Sequence, residues 1–211
     1  MQCYRMSIKR KPDPDVTAKM AKLHFHYSAM NSGKSTLLLQ AAHNYSERDL
    51  VPYLMKTELD DRDGVATIGS RIGIQKTCDT FTSSENLFDK VQARLEKGPV
   101  DCVLVDEAHF MTQEQVWQLA SVVDDLNIPV MAYGLRTDFQ AKLFPGSAEL
   151  LGIADVLREV RTIDESGKNA TMNLRIDSEG NAVTQGPQKQ IGGNESYKSV
   201  SRKEWRKRMG R

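Results

Sequence analysis

The stretch Ser28-Ala29-Met30-Asn31-Ser32-Gly33-Lys34-Ser35 constrains this chain more than any other part of it. A short run, 22–27, leads into it, and helical spacing follows at Leu37, Leu38, Ala41, Ala42 and Tyr45. Strand, Gly-Lys-Ser loop and helix are the context of the phosphate-binding pattern G-x-x-x-x-G-K-S/T, with Ser28 standing in for the first glycine. In such a loop the backbone N–H groups and the helix N-terminus converge on polyphosphate oxygens. Lys34 adds a movable cation, Ser35 offers a hydroxyl to Mg²⁺, and Gly33 lets the backbone approach the phosphates without a Cβ.

Downstream, apolar strands alternate with amphipathic helices. Residues 51–56 predict a second strand. The acidic, glycine-containing stretch 58–73 reads as too polar for a core element and long for a plain connection, hence as a functional loop. Ser83 or Ser84 is expected to cap a helix with Leu87, Phe88, Val91 and Leu95 on its apolar face, stopped by Gly98-Pro99. A buried strand, 102–105, comes next. Thr112 and Gln115 form a capping-box pattern before Val116, Leu119, Ala120, Val123 and Leu126, and 128–133 predicts another strand. Helical crossovers return successive strands in the same direction, so the fold class is α/β: a P-loop NTPase-like parallel sheet flanked by helices, over 20–154. From 155 to 205 the texture changes to short alternating pieces, 156–163 and 170–176. Gly167, Gly180, Gly186 and Ile191-Gly192-Gly193-Asn194 break them, which reads as a small β-rich C-terminal domain. The end, 202–211, sets six Lys or Arg against Trp205 and Met209, so a frayed, solvated tail is expected, with 206–211 as its basic terminus. At the other end, 1–19 has Arg5, Lys9, Arg10 and Lys11, two prolines and no apolar segment. It reads as a disordered extension and not as a secretory signal, with Met20 as a second possible start.

Composition narrows the partners. With 29 Lys and Arg against 28 Asp and Glu in 211 residues, no global field favours nucleic acid or an anionic membrane. No apolar run approaches the roughly 18 residues that cross a bilayer. The cysteines Cys3, Cys78 and Cys102 are odd in number and far apart, so neither a disulfide framework nor a thiolate metal site is written there, and a reducing cytosol fits best.

The chemistry needs a second half, and 103–107 supplies it: an apolar strand ending in Asp106 and Glu107. A carboxylate at the end of a buried strand is costly unless a cation faces it, so Asp106 is the candidate for Mg²⁺. Adjacent strand residues point to opposite sides, which leaves Glu107 to act as general base on an acceptor hydroxyl. Asp106-Glu107-Ala108-His109 also spells the DEAH box of a helicase class. The alternative reading is therefore a nucleic-acid-stimulated P-loop ATPase. Such motors clamp ATP between two α/β domains, and this chain has length for one. His109 is placed beside the nucleotide without a catalytic role, while His24, His26 and His43 are read as structural.

Four motifs in order carry a resemblance: the 28–35 loop, the Asp106-Glu107 strand end, Tyr133-Gly134-Leu135-Arg136-Thr137-Asp138-Phe139, and Ile191-Gly192-Gly193-Asn194-Glu195-Ser196-Tyr197. Together, from about residue 20 to 205, they resemble the cellular-type (type II) thymidine kinases, especially the bacterial ones. The resemblance implies ATP-dependent phosphorylation of thymidine at its 5′-hydroxyl to dTMP, in the cytoplasm, by a homotetramer under dTTP feedback. It implies that Ser28 to Ser35, with Asp106 and His109, bind ATP, that Ser35 and Asp106 serve Mg²⁺, and that Glu107 accepts the 5′-hydroxyl proton. Asp60 and Arg62 match an Asp-x-Arg element near the phosphates. Phe110, Phe139 and Phe144 match aromatics around the nucleoside, with Leu135 in the same wall. Gln188, Lys189, Gln190, Ile191, Gly192 and Tyr197 match a lasso segment that grips the nucleoside, in which a glycine-rich backbone reads a small planar base.

One departure from the family is large. Its lasso domain is usually pinned by a structural zinc, and the corresponding positions here are Asp164, Ser166, Ser201 and Glu204. Carboxylates and hydroxyls do not reproduce a closed sulfur-nitrogen site, so no structural zinc is expected. A second departure is His109, where the family commonly has glutamine.

Overall fold

The computed structural model describes residues 20–60, 64, 66–188 and 196–211. In chain order the elements are β1 (Leu23–Ser28), α1 (Lys34–Ser46), β2 (Pro52–Thr57), β3 (Thr67–Gly69), β4 (Gln75–Thr77), β5 (Asp79–Phe81), α2 (Leu87–Leu95) and β6 (Cys102–Asp106). A single 3-10 turn (Ala108–Phe110) leads to α3 (Gln113–Leu126), β7 (Val130–Leu135), α4 (Pro145–Ile153), β8 (Val156–Glu159), β9 (Met172–Arg175), β10 (Tyr197–Val200) and α5 (Arg202–Arg208).

Six strands form one sheet in the order β5-β2-β6-β7-β1-β8, and every pairing in it is parallel. Strand β6 shows why its residues are apolar throughout. Val103 and Val105 enter a cluster with Phe25, Met55, Leu87, Val91, Val116 and Leu119, under α2 and α3. Cys102 and Leu104 point the other way, to Leu38, Leu39, Ala42 and Leu54 under α1. Both faces being covered, each such side chain contributes about 1.5–3 kcal/mol of burial. The parallel register brings the ends of neighbouring strands to one edge, with Ser28 of β1 opposite Leu135 of β7 and Asp106 of β6 opposite Lys56 of β2. Ligands of open parallel sheets bind at that edge.

Beyond this sheet, β9 and β10 pair antiparallel over a small cluster of Met172, Leu174, Val200 and Trp205.

Several expectations are corrected. The piece 156–163, expected in the C-terminal β-rich part, supplies β8, which pairs with β1 as the edge strand of the main sheet. The tail expected to fray contains α5, because Ser201 caps it through the Glu204 N–H and Trp205 anchors it with its indole N–H on the Phe139 carbonyl at 2.9 Å. The cap of α2 is Asn86, whose side chain accepts from the Phe88 and Asp89 N–H groups, while Ser84 bonds Thr82 in the turn before it. Among its described residues the stretch 58–73 holds one buried hydrophobic residue, Ile68, beneath α1 as the middle residue of β3. The Thr112–Gln115 capping box forms in both directions. The terminal segment 1–19 lies outside the described residues. Among the described residues no helix is long and apolar enough to cross a membrane. His26 stacks on Tyr133 with ring centroids 4.5 Å apart, and burial first, then Arg158 and His24, push its imidazole down to about 4.

Candidate active site

The loop between β1 and α1 closes on its own lysine. Lys34 is buried, and its ammonium donates to Ser28 Oγ at 3.0 Å, to the Ala29 carbonyl at 3.0 Å and to Ser32 Oγ at 3.5 Å. Ser28 and Ser32 hydroxyls meet at 2.5 Å. Serine is tolerated at the first glycine position because the backbone there stays out of the left-handed region, which is entered instead at Asn31 (φ 58°) and Gly33 (φ 81°). Gly33 is required by that angle; nothing lies within 4 Å of a Cβ built on it.

The first residue after Lys34 joins the two halves of the site. Ser35 Oγ donates to Asp106 Oδ2 at 2.9 Å, across 71 residues of sequence. Asp106 Oδ1 accepts the Glu107 N–H at 3.0 Å. Burial first, then the Glu107 charge, raises the Asp106 carboxyl above its ordinary value, against the Ser35 hydroxyl, the Glu107 amide and Lys34. An oxygen-only pair of serine hydroxyl and carboxylate suits a hard cation such as Mg²⁺, which keeps several waters and takes its other oxygens from phosphates.

Glu107 leaves the strand. It adopts φ 50°, ψ 35°, a left-handed conformation that costs a non-glycine residue on the order of 1–3 kcal/mol. Its separation from Asp106 thus comes from a turn, where strand alternation had been expected to supply it. The turn leads into His109, which is buried, with Nδ1 3.3 Å from Glu107 Oε2 and 3.3 Å from the Leu135 N–H. One nitrogen serves only one of these at a time: unprotonated, Nδ1 accepts from Leu135; protonated, it donates to Glu107. The ring lies against Phe110 (centroids 4.0 Å) and edge-on to Phe144 (4.6 Å). The structure thus brings Glu107, His109, Phe110, Leu135 and Phe144 to one place, while Phe139, expected in the same wall, lies on another residue.

Gly146 sets the depth of that cluster. A Cβ built there would stand 2.5 Å from the Ala108 carbonyl and 2.9 Å from that of Met111. Gly146→Ala is therefore expected to push α4 off the 3-10 turn. The cost should be about 1–3 kcal/mol, seen as a melting midpoint several degrees lower. A wild-type midpoint would show that α4 shifts freely.

The remaining predicted residues form two further groups. Asp60 is buried, 3.8 Å from the ammonium of the buried Lys56, which also donates to the Gly64 carbonyl at 2.8 Å. Arg62, beside it in sequence, lies outside the described residues, as do Lys189, Gln190, Ile191 and Gly192. Phe139 and Tyr197 meet on a residue the sequence reading missed, Arg175. This arginine is buried, with its guanidinium 3.9 Å from the Phe139 ring centroid. Its Nε donates to the Tyr197 hydroxyl at 2.9 Å, and an Nη to the Pro187 carbonyl at 2.9 Å and to that of Gln188 at 3.4 Å. Gln188 in turn donates to the Leu143 carbonyl at 3.4 Å. A charged residue inside the short alternating piece 170–176, between Leu174 and Ile176, was the available signal. Two further missed residues hold the 28–35 loop: Asn173 accepts the Met30 N–H at 2.8 Å and donates to the Thr137 carbonyl at 2.7 Å, and Ser199 Oγ donates to the Met30 carbonyl.

The four zinc-equivalent positions do come together, but as hydrogen-bonding groups. Asp164 Oδ1 accepts from the Ser166 N–H (2.9 Å), the Ser166 hydroxyl (2.6 Å) and the Lys168 N–H (3.1 Å), and Oδ2 accepts the Ser201 N–H at 3.2 Å. Ser201 Oγ accepts the Glu204 N–H. The Asp164 and Ser201 oxygens accept N–H and O–H donors, and none of the four side chains carries a sulfur or imidazole, so this set does not fit a structural zinc. Among the described residues no three His, Cys, Asp or Glu side chains converge as a metal site.

Comparison with known proteins agrees with the geometry. The family model for thymidine kinase matches residues 21–205. The thymidine kinase of Jannaschia sp. (strain CCS1) is 58% identical over 191 residues, covering 90% of this chain and 98% of its own length. That of Ruegeria pomeroyi is 59% identical, covering 90% and 96%, and that of Haemophilus influenzae (strain 86-028NP) 51% identical, covering 90% and 99%. A Gly-Lys-Ser loop joined to a strand-end carboxylate, a neighbouring carboxylate in a strained turn and a family match along nearly the whole described chain lead to one conclusion: this chain belongs to the thymidine kinase family.

Proposed function

We propose that this chain transfers the γ-phosphoryl group of ATP to the 5′-hydroxyl of thymidine, giving dTMP and ADP. The observation that carries this reading is the 2.9 Å bond between Ser35 and Asp106, with Glu107 following directly. The loop from Ser28 to Ser35 receives the ATP phosphates on its backbone N–H groups. Lys34 exchanges its loop oxygens for phosphate oxygens, and Ser35 and Asp106 hold Mg²⁺. Bound there, the ion neutralises charge on the transferring group. Glu107 takes the 5′-hydroxyl proton. The nucleoside lies against Phe110, Phe144 and Leu135, and Gln188 to Gly192 with Tyr197 are the residues that bind it. Asp60 and Arg62 serve the phosphates, and Phe139 acts through the Arg175 guanidinium stacked on its ring.

The alternative, a nucleic-acid-stimulated ATPase with a DEAH string, has no support in the comparisons. The two classes separate in one assay. ADP release is expected to rise with thymidine and to ignore single-stranded DNA or RNA; stimulation by nucleic acid without thymidine would reverse the assignment. The same reading includes a homotetramer, dTTP as feedback inhibitor, a cytoplasmic location and no structural zinc. Elemental analysis of the purified protein checks the last: one tightly held zinc per chain would refute it.

A further inference from the structure

We propose that Asp164 is a positioning residue that ties the C-terminal hairpin together and thereby holds the phosphate loop in its ATP-binding shape. The inference rests on reading 28–35 as the ATP loop, and it names the tie that stands at the family's zinc positions.

The carboxylate works in two directions. Oδ1 closes its own turn through three donors on Ser166 and Lys168, while Oδ2 crosses 37 residues of sequence to the Ser201 N–H. Backbone bonds brace the same turn, from the Asp164 N–H to the Lys168 carbonyl and from the Gly167 N–H to the Asp164 carbonyl. The crossing bond joins two segments that both end on the phosphate loop. Two residues before Asp164, the Thr162 hydroxyl donates to the Asn31 carbonyl at 3.4 Å. Two residues before Ser201, the Ser199 hydroxyl donates to the Met30 carbonyl, and Asn173 of the paired strand accepts the Met30 N–H. Met30 and Asn31 lie midway along the loop, and Asn31 sits in the left-handed region, a conformation its surroundings must hold. Releasing the tie frees both flanks of those two residues at once. The ion-free solution is chemically sufficient, since a carboxylate accepting several N–H and O–H donors makes charge-assisted bonds, each stronger than a neutral one.

Asp164→Asn isolates the crossing bond. The side-chain oxygen keeps the turn donors, while the new amide NH₂ faces the Ser201 N–H, donor against donor. The expected result is an ATP dissociation constant raised about fivefold, with kcat at saturating ATP within twofold of wild type and faster hydrogen exchange at the Ser201 amide. Asp164→Ala should raise the constant further and free the Ser166 and Lys168 amides as well. A purely structural role would lower the melting midpoint and leave ATP affinity alone. Unchanged ATP affinity in Asp164→Asn overturns the proposal, whether or not the Ser201 amide exchanges faster. So does a bound zinc in the wild type whose chelation reproduces the loss. Because ATP binding is read directly, a wild type that makes no dTMP would sink the proposed function and still leave this tie decided by its own measurement.

Discussion

Glu107→Gln is expected to bind ATP and thymidine almost as the wild type does and to lose nearly all turnover. Glutamine is isosteric, so it can occupy the same left-handed turn and lie against the same wall of His109 and Phe110. What it lacks is a basic oxygen. Phosphoryl transfer asks little covalent chemistry of the protein, and a positioned base contributes roughly 10²–10⁴ in rate. The fall in kcat should lie in that range, with both KM values changed by no more than a few-fold. That split marks a group whose interaction matters only as the transition state forms. The strained backbone at Glu107 points the same way, because a conformation costing on the order of 1–3 kcal/mol persists where the surrounding structure enforces it. Near-normal kcat would remove Glu107 from the role of base. A large rise in KM with kcat intact would make it a binding residue instead.

The parts of this site legible in the sequence were those written in contiguous residues. Gly33-Lys34-Ser35 announces itself because strand, loop and helix N-terminus are local, and Thr112 with Gln115 does so because a capping box spans four residues. The pairing of Ser35 with Asp106 was inferable because both motifs read as serving one magnesium ion, and the two side chains meet at 2.9 Å. Arg175 was hidden because its partners come from elsewhere: a ring at 139, a phenol at 197 and carbonyls at 187 and 188. No periodicity encodes such a hub. Lys56 was hidden for a similar reason. A lysine at the end of a strand reads as a solvated charge until the register sets it opposite Asp106 and the chain turns back to place Asp60 beside it.

The misread elements share a cause as well. In β8, Leu157 remains half exposed because the strand lies at the sheet edge, so its alternation looks like that of a small isolated hairpin. Helix α5 has one buried residue, Trp205, and its basic composition suggests a tail until the indole finds the Phe139 carbonyl. Burial of a single aromatic ring, on the order of 150–250 Å², outweighs an unfavourable run of charges whose stems can stay in water. Ser83 and Ser84 are reasonable caps by residue type. Asn86 wins because Thr82 to Glu85 close their own turn first, with the Thr82 N–H on Glu85 Oε2 at 2.7 Å.

Lys34→Ala should damage both halves of the reaction, ATP binding and turnover. In the structure the ammonium sits among the oxygens of Ser28, Ala29 and Ser32, so the loop closes around a positive charge. Phosphate oxygens are better partners for that charge than neutral hydroxyls and a carbonyl, because both members of the new pair are ionised. Exchange therefore favours the nucleotide in the ground state and, as charge shifts onto the leaving oxygen, favours the transition state further. Removing one preorganised donor from such a site costs about 10²–10³ in rate. The lost ground-state contact should add a rise of roughly tenfold in the ATP dissociation constant, on the order of the 1.4 kcal/mol that separates decades of affinity. Deleting the cation also leaves the close Ser28 and Ser32 hydroxyls to share protons between themselves, so a modest fall in melting midpoint accompanies the change. ATP is expected to protect the wild type against thermal unfolding by mass action, and that protection should shrink in the variant. If Lys34→Ala turned over and bound ATP like the wild type, residues 28–35 would not be the phosphate loop. The Ser35–Asp106 bond would then be a structural contact between a helix and a strand.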